Sequence, residues 1–344
     1  MGIQVKREIL EKLKSDTGSY ISGEALSEEL GVSRTAVWKH IRQLKEEGYC
    51  IEASSKKGYR LAVPVDILNS HEISYGLQTE FIGNRVEFFS EIDSTNTYAK
   101  KVAYEGCPEG TVIVADRQLS GKGRLGRSWD SADKKGIWMS VVLRPAIPPE
   151  DIQIITLAAS TAVANAIRRA TGVSVSIKWP NDIVLEGKKL CGILAEMSSE
   201  ADRINFIVLG IGINVSHEED DFGEEIRNSA TSLKIYLNKH YKKDKSIICP
   251  EKLSRSEIIK NILAELEGVY YKIREERTDE IIKEWKKASA TLGKEVRLTI
   301  KGCEHTGVAR DVTPDGKLVV DCSDGKRREV VSGEVMVRGI FGYV

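Results

Sequence analysis

The first sixty residues show helical apolar periods broken by turn residues. One apolar stripe is formed by Ile3, Ile9, Leu10 and Leu13. A second short helical segment covers residues 23–30, and Gly31 can supply the left-handed turn that ends it. Ser33 is a good N-cap for a third helix over residues 34–47, and a two-stranded ribbon over residues 49–62 follows. This order of elements predicts a winged helix-turn-helix.

The middle of the chain alternates apolar runs with helical periods as far as about residue 270. Runs that predict strands cover residues 85–89, 111–115, 136–143, 173–178, 193–197 and 205–215. Residues 152–170 have the alanine-rich composition of a long helix, and residues 66–83 are predicted to form a linker helix. We therefore expect a mixed α/β domain that is large enough to bury a substantial core.

The last fifty residues return to short strands. These strands are predicted at residues 295–300, 306–311, 318–322 and 328–331, with Asp-Gly turns at residues 314–316 and 323–325. Their spacing predicts a small SH3-like β-barrel. The predicted domains are then a winged helix (1–63), a linker (64–84), an α/β domain (85–288) and a barrel (289–344).

Composition narrows the class of protein. Lys plus Arg and Asp plus Glu both number 51, so any contact with nucleic acid must come from a local patch. No apolar run approaches the roughly 18 residues that span a bilayer, so we expect no membrane partner. The six cysteines lack CxxC or metal-type spacing, which indicates free thiols and a cytoplasmic protein.

A local basic patch is predicted on the winged helix. The third helix contributes Arg34, Thr35, Trp38, Lys39 and Arg42 to one face, and the wing tip contributes Lys56 and Lys57. Such side chains contact phosphates and base edges when a recognition helix enters the major groove. We therefore predict DNA binding, and specific binding would require a dimer on a two-part site. The alternative is a helical adaptor with a solvated basic face.

Residues 118–129 alternate glycines with cations directly after an apolar strand. Gly121, Gly123 and Gly126 allow close backbone approach to an anion, and the cations Lys122 and Arg124 supply charge. Arg127 adds a third cation within the same segment. The order of residues fits neither a Walker A loop nor a dinucleotide-binding fingerprint. The segment predicts an anion site, and a flexible basic surface loop is the alternative.

Three further segments place polar groups at strand ends. Residues 178–182 end a strand in a turn with a cation, an amide and a carboxylate, and a hairpin returns Lys189 beside that turn. Asp182 could hold Mg²⁺ or steer a phosphate, or could simply cap the turn. Residues 94–96 place hydroxyl and amide groups at a strand-to-helix junction, and the segment taken alone favours an ordinary N-cap at Ser94. The alternating glycines of residues 210–214 are typical of a strand that passes close to a ligand or another backbone.

These segments, in this order behind a winged helix, resemble the bifunctional biotin protein ligases that also repress the biotin operon. The most specific matches are residues 121–129 and 178–182, and residues 192–196 and 210–214 support them. The family loop usually has Arg where this chain has Lys122. The resemblance covers nearly the whole chain. It implies a winged helix, a mixed α/β ligase core like that of class II synthetases, and an SH3-like barrel.

The resemblance also implies an activity and roles for individual residues. Biotin and Mg·ATP would form biotinyl-5′-AMP, from which biotin passes to a lysine of a biotin carboxyl carrier domain. The implied catalytic residues are Lys189, Arg124 and Asp182, with Asp182 also as a magnesium ligand. The implied biotin-binding residues are Ser94, Thr95, Asn96, Gln118, Lys122, Gly123, Arg124, Lys189 and Gly192. The implied nucleotide-binding residues are Arg127, Trp129, Lys178, Asn181 and Asn214.

By the same resemblance, biotinyl-5′-AMP is also the corepressor. Its binding would order the glycine-rich loop, promote a homodimer and pair two winged helices on operator DNA. Two other functions are also compatible with the sequence. One is a transcription factor whose α/β domain only senses a ligand, and the other is a lipoate–protein ligase, which shares the core fold.

Overall fold

A computed structural model describes residues 2–16, 18–62, 66–200, 202–300, 303–331 and 335–339. The chain divides into two compact units, Met1–Glu72 and Ile73–Val344. Among the described residues, no helix combines the length and the apolar character that crossing a membrane would need. All six cysteines lie in the described part of the chain and are free thiols.

The first unit has the predicted order of three helices and a two-stranded ribbon. Its elements are α1 (Gly2–Ser15), α2 (Gly23–Glu29), α3 (Arg34–Glu46), β1 (Ile51–Ser54) and β2 (Gly58–Leu61). Ser22 and Ser33 cap α2 and α3, because each hydroxyl accepts the backbone N–H three residues on. Leu10, Leu26 and Ile41 are buried where the three helices meet. The winged helix-turn-helix is therefore confirmed.

The wing is a short antiparallel hairpin. Ile51 pairs with Leu61 and Ser54 pairs with Gly58. Gly58 has φ +99°, and a Cβ there would lie 2.0 Å from the carbonyl oxygen of Ile21. Only glycine fits such a position without a clash, so the ribbon can press closely against the segment that leads into α2.

The second unit contains the α/β domain. After α4 (Ser70–Ser74), its helices are α5 (Thr95–Tyr104), α6 (Ile152–Thr171), α7 (Leu233–His240), α8 (Arg255–Arg274) and α9 (Thr278–Ala288). Its main-sheet strands are β3 (Val86–Ile92), β4 (Val112–Gln118), β5 (Gly136–Leu143), β6 (Ser176–Lys178), β7 (Asp182–Leu185), β8 (Lys188–Ser199) and β9 (Ile204–Asn214). The strand order across the sheet is β3-β4-β5-β9-β8-β7-β6.

The main sheet is mixed, as the alternating pattern predicts. The pair β3 and β4 runs parallel, and the other neighbours are antiparallel. The alanine-rich helix α6 is buried along most of its length and packs on α8. Every residue of β5 is buried, so this central strand forms the middle of the core. The sheet thus provides a rigid base for the loops at its edge.

A second, smaller sheet follows α9. It consists of β10 (Glu295–Ile300), β11 (Cys303–Val312), β12 (Leu318–Cys322), β13 (Arg327–Val330) and β14 (Val335–Gly339), in the order β13-β12-β11-β10-β14. All of its neighbouring pairs are antiparallel. The predicted C-terminal β-domain is confirmed as a five-stranded antiparallel sheet, and β14 is a strand that the sequence analysis did not predict.

The prediction of a linker helix over residues 66–83 is wrong, and it is the largest error in the predicted secondary structure. In place of a helix over residues 66–83, the structure has only α4, which is five residues long. The side chain of Asn69 accepts the backbone N–H of Glu72 at 2.8 Å and so starts the helix late. Gly76 has φ +73° just after the last turn, and that conformation ends a helix.

Candidate active site

A cavity of about 610 Å³ opens at one end of the main sheet. Its walls come from the start of α5, the end of β4, the glycine-rich loop after β4, the β6–β7 turn, and strands β8 and β9. This volume suits a medium-sized organic ligand. The structure therefore brings together segments that lie more than one hundred residues apart in the chain.

Nearly all of the predicted site residues of the α/β domain line this cavity. They are Ser94, Thr95, Asn96, Gln118, Lys122, Gly123, Arg124, Arg127, Trp129, Lys178, Asn181, Asp182, Lys189 and Gly192. Asn214 is the exception. It is buried at the end of β9, and its amide donates to the carbonyl oxygen of Thr231 at 3.1 Å. This side chain holds the segment before α7 and does not face the cavity.

The β7–β8 hairpin places a lysine beside a carboxylate. Asp182 begins β7, and the Nζ of Lys189 on β8 lies 2.8 Å from its Oδ1. The same Nζ lies 5.2 Å from the centre of the Trp129 ring, within cation–π range. The prediction that the hairpin returns Lys189 to the turn is confirmed. Asp182 thus holds the ammonium group of Lys189 at a fixed point on the cavity wall.

The turn before β7 is anchored on both sides. Trp179 is fully buried, its backbone N–H donates to the hydroxyl of Thr291 at 2.9 Å, and its indole donates to the carbonyl of Gly316 at 3.1 Å. Asn181 donates its amide to the carbonyl of Ile193 at 2.6 Å. Because both ends are tied to neighbouring strands and turns, Asn181 presents its amide oxygen to the cavity in one orientation.

The glycine-rich loop folds into a small hairpin. The N–H of Trp129 donates to Gly121 at 2.9 Å, and the N–H of Gly123 donates to Arg127 at 2.7 Å. The guanidinium of Arg124 donates to the amide oxygen of Asn181 at 2.9 Å. Burial lowers the pKa of Arg124, and the nearby charge of Asp182 opposes that shift. The loop thus forms part of the cavity wall, and Arg124 ties it to the turn before β7.

Hydrogen bonds link the polar groups at the other end of the cavity. The backbone N–H of Thr95 donates to Oε1 of Gln118 at 2.8 Å, and the hydroxyl of Thr95 lies 3.0 Å from the same oxygen. The amide nitrogen of Gln118 donates to the hydroxyl of Ser131 at 2.8 Å. Ser94 caps α5, as its alternative interpretation predicted, and it also lines the cavity. One side chain therefore combines the structural and the ligand-facing position.

The alternating glycines make room for side chains of the site. A Cβ on Gly210 would lie 2.1 Å from Oδ1 of Asn96. Added carbons on Gly192 and Gly212 would lie 2.8 and 2.7 Å from the indole of Trp129. The prediction of close approach along β9 is thus confirmed, and the close neighbours are Asn96 and Trp129.

Several residues in or near the cavity were not predicted from the sequence. The cavity wall also includes Glu225, Ile226 and Ser229, which lie at and just after the end of the acidic segment 217–225. That segment is only partly solvated, since His217 is buried and stacks on Phe222 at 5.1 Å. Ser140 on β5 was not predicted either. Its hydroxyl lies near Thr95 and Asn96, and in the sequence it is the one polar side chain of the apolar run of β5. Such an isolated polar residue in a buried strand can be found from sequence.

The predicted magnesium ligand is a single carboxylate of the cavity wall, Asp182. Among the described residues, no three His, Cys, Asp or Glu side chains converge as metal ligands. Asp182, the predicted ligand, already pairs with Lys189, whose charge opposes a second cation. The geometry therefore does not favour Asp182 as a metal ligand.

In the first unit, the predicted DNA-contacting residues are all on the surface. These exposed side chains are Arg34, Thr35, Trp38, Lys39, Arg42, Lys56 and Lys57. The Trp38 side chain is 54% exposed, which is unusual for an aromatic residue of this size. Arg42 pairs with the neighbouring Glu46 on α3, at 2.9 Å. The helix α3 and the wing tip thus present a polar, mainly basic surface.

Comparisons with known proteins identify the families of the first unit, of the α/β domain and of the C-terminal sheet. Residues 5–60 match the family model of an HTH domain, residues 88–214 match the biotin/lipoate A/B protein ligase family, and residues 291–338 match the biotin protein ligase C-terminal domain. The chain is 38% identical to the bifunctional ligase/repressor BirA of Bacillus spizizenii, over 94% of this chain and 96% of that protein. It is 28% identical to the Escherichia coli protein of the same name, over 93% and 94%.

A solved structure shows the same core. The structure of a biotin protein ligase from Aquifex aeolicus in complex with biotin and ATP superposes with a TM-score of 0.60 and 28% identity. It covers 74% of this chain and 99% of that one. Fold and cavity thus define a biotin protein ligase core joined to a helix-turn-helix domain. The chain belongs to the family of bifunctional biotin protein ligases and repressors.

Proposed function

We propose that the cavity binds biotin and ATP together and joins them in two steps. The biotin carboxylate attacks the α-phosphorus of ATP, which gives biotinyl-5′-AMP and releases pyrophosphate. The ε-amine of a lysine on a biotin carboxyl carrier domain then attacks the acyl carbon, loses a proton and displaces AMP. No side chain of this protein needs to act as a nucleophile, because the adenylate is itself the activated species.

The charge of the cavity is the observation that supports this proposal most strongly. Among the described residues, five cationic side chains line it, and only two carboxylates do. Those cations are Lys122, Arg124, Arg127, Lys178 and Lys189. Both steps place negative charge on phosphate oxygens, and fixed cations in a partly enclosed site stabilise such charge strongly. A sensor of a neutral ligand would have no use for this arrangement.

We assign the central electrostatic role to Lys189. Asp182 holds its ammonium group at 2.8 Å, so little freedom is lost when a phosphate or carboxylate oxygen approaches. Arg124 reaches the same region from the glycine-rich loop, through its bond to Asn181. We propose that Lys189 contacts the biotin carboxylate and the α-phosphate, and that Arg124 covers the intermediate.

The other residues divide between the two ends of the cavity. We propose that Ser94, Thr95, Asn96 and Gln118 face the polar ring of biotin, with Gly192 beside them. We propose that Arg127, Trp129, Lys178 and Asn181 face the nucleotide, and that Lys122 and Gly123 cover the intermediate. The hairpin of residues 121–129 would shield the mixed anhydride from water until the acceptor lysine arrives. Magnesium is proposed only as the ion that accompanies ATP.

The exchange of labelled pyrophosphate into ATP tests this reaction directly. We expect exchange that depends on biotin and that lipoate does not support. Lys189→Met should reduce the exchange rate by about 100-fold or more, the usual effect of removing one preorganised donor. Lys188→Met is the matched control, because Lys188 is the adjacent residue of β8 and is not part of the cavity wall. Wild-type protein without biotin-dependent exchange would contradict the proposal.

We also propose that biotinyl-5′-AMP is a corepressor that promotes a homodimer on operator DNA. The exposed face of α3 and the wing tip support a DNA contact, and the position of residues 121–129 in the cavity wall supports a link between this loop and ligand binding. Ligand, dimer and DNA would stabilise one another if each favours the same conformation. Sedimentation of the protein with and without biotin plus ATP tests the dimer, and an unchanged monomer would contradict it.

The three separate family matches support a functional division of the chain. We propose a DNA-binding domain at residues 1–63, a linker at 64–84, a catalytic domain at 85–288 and a C-terminal domain at 289–344. The six free thiols support a reducing, cytoplasmic location.

A further inference from the structure

A chain of hydrogen bonds runs from the protein surface to the polar end of the cavity. Lys100 pairs with Glu196, and Glu196 accepts the amide N–H of Asn96 at 2.8 Å. The amide oxygen of Asn96 lies 2.7 Å from the hydroxyl of Ser140, which in turn lies 2.8 Å from the hydroxyl of Thr95. Thr95 and Asn96 line the cavity, whereas Glu196 does not.

One end of this chain is oriented by the backbone. The N–H of Thr95 can only donate, so the atom of Gln118 that it meets at 2.8 Å must be the amide oxygen. The amide nitrogen of Gln118 therefore points to Ser131, at 2.8 Å. The orientation of Gln118 does not depend on any other side chain of the network.

The other end is oriented by Glu196. An ionised carboxylate can only accept, so it fixes which atom of the Asn96 amide faces it. Burial would raise the pKa of Glu196, but the hydrogen bonds from Asn96 and Lys100 hold it below the ordinary value. Gly210 leaves the space that Asn96 occupies, since a Cβ there would lie 2.1 Å from its Oδ1. Asn96 is thus held from two sides, with its oxygen toward Ser140.

The hydroxyl proton of Ser140 is then donated to the amide oxygen of Asn96. The contact between Ser140 and the amide oxygen of Asn96 needs a hydrogen, and only Ser140 can supply it. Ser140 therefore cannot donate to Thr95. The hydroxyl proton of Thr95 must point to Ser140 or to Gln118, at 2.8 or 3.0 Å. In both cases the proton of Thr95 is used within the network, which leaves the oxygen as an acceptor for a ligand in the cavity that Thr95 lines.

We propose that Glu196 is a positioning residue that, through Asn96 and Ser140, makes Thr95 a hydrogen-bond acceptor for an N–H group of the substrate ring. This inference rests on the proposed function, because the ureido ring of biotin supplies such N–H donors. Without the carboxylate, the Asn96 amide can rotate by 180°. Ser140 could then donate to Thr95, and the proton of Thr95 could turn toward the cavity and oppose the ring N–H.

The test is a double substitution that exchanges the carboxylate and the amide between two neighbouring positions. Glu196→Gln alone removes the accept-only group, and we expect the KM for biotin in pyrophosphate exchange to rise about tenfold, the effect of one misdirected hydrogen bond. The KM for ATP and the kcat should stay within about twofold. In Asn96→Asp/Glu196→Gln, the carboxylate now at position 96 again accepts from Ser140, while the amide now at position 196 donates to that carboxylate. We expect the KM for biotin to return to within about threefold of the wild-type value.

Glu186→Gln is the matched control, because Glu186 pairs with Lys239 at 2.8 Å and lies outside the cavity wall. It should leave the KM for biotin unchanged. If the effects of Asn96→Asp and Glu196→Gln simply add in the double variant, Glu196 has only a structural role and the inference is wrong. A KM for biotin that is unchanged in Glu196→Gln overturns it without the double variant. If wild-type protein shows no biotin-dependent exchange, the proposed function itself fails.

Discussion

The two units of this protein use their polar residues in opposite ways. In the first unit, the proposed DNA-contacting side chains are exposed on α3 and the wing tip, and they come from two adjacent pieces of chain. In the second unit, the residues of the cavity come from seven segments, and Ser94, Thr95 and Asn96 are each at most 5% exposed. A surface of the first kind depends mainly on helix periodicity, whereas a cavity of the second kind depends on tertiary contacts.

This difference predicts how each unit responds to substitution. Exposed side chains act nearly independently, so their removal should impair binding without changing stability. Buried polar groups depend on one another, so their removal should affect stability, orientation and catalysis together. The following substitutions test that contrast.

The largest effect is expected at a buried ion pair of the second unit. Arg255 on α8 contacts Asp116 on β4 at 2.7 Å, and the two side chains are 2% and 9% exposed. Arg255→Met would leave a buried carboxylate uncompensated, so the free energy of unfolding should fall by about 3–5 kcal/mol. Urea unfolding followed by tryptophan fluorescence measures this change, since four of the five tryptophans lie in the second unit.

An exposed pair of the first unit provides the control for that experiment. Arg7 and Glu11 lie on α1 at 3.0 Å, with side chains 54% and 33% exposed. Arg7→Met should change the stability by about 0.5 kcal/mol or less. Adding Asp116→Asn to Arg255→Met should recover part of the loss. Equal losses in Arg7→Met and Arg255→Met would contradict the contrast between the units.

A smaller effect is expected where the backbone of Gly210 lies against the side chain of Asn96. Gly210→Ala places a methyl group against Asn96, so we expect a destabilisation of about 1–3 kcal/mol and a raised KM for biotin. Gly268→Ala is the matched control, because that glycine lies on α8 with no described atom within 4 Å of an added Cβ. It should stabilise the protein by about 0.5–1 kcal/mol. A Gly210→Ala variant with unchanged stability and unchanged KM for biotin would contradict the packing argument.

The sequence predicts the first unit more completely than the second, because helix periodicity is a local pattern and tertiary contacts are not. The helix α3 and its exposed face follow from periodicity and from the cap at Ser33 alone. In the α/β domain, glycines and cations predicted the cavity and most of its wall. They could not show that Asn214 turns away toward Thr231, because that depends on where a distant loop packs.

Other features depend on contacts that no local pattern encodes. The linker helix was predicted too long, since Gly76 ends α4 after five residues. The hydrogen bond from Asn96 to Glu196 joins residues one hundred positions apart. Residue types gave the chemistry of the site, whereas the direction of each hydrogen bond required the folded structure.

The smallest effect is expected on the DNA-binding surface. Lys39→Ala should weaken the binding of a mixed-sequence DNA duplex and reduce the slope of log K against log salt by about 1, as the loss of one phosphate contact does. Stability should stay within about 0.5 kcal/mol of the wild-type value. Lys12→Ala, which removes the same charge from α1, should leave the slope unchanged. Equal salt slopes for wild type and Lys39→Ala would place the DNA contact elsewhere.

The central claim is that the cationic cavity retains an acyl-adenylate until an amine arrives. Its most direct test is to incubate the protein with biotin and Mg·ATP, remove small molecules by gel filtration, and quantify retained biotinyl-5′-AMP by mass spectrometry. Wild-type protein should retain about one adenylate per chain. Arg124→Ala should retain less than about a tenth of that amount, because a loss of about 1.4 kcal/mol in binding already costs tenfold. Equal retention by both proteins would contradict the account.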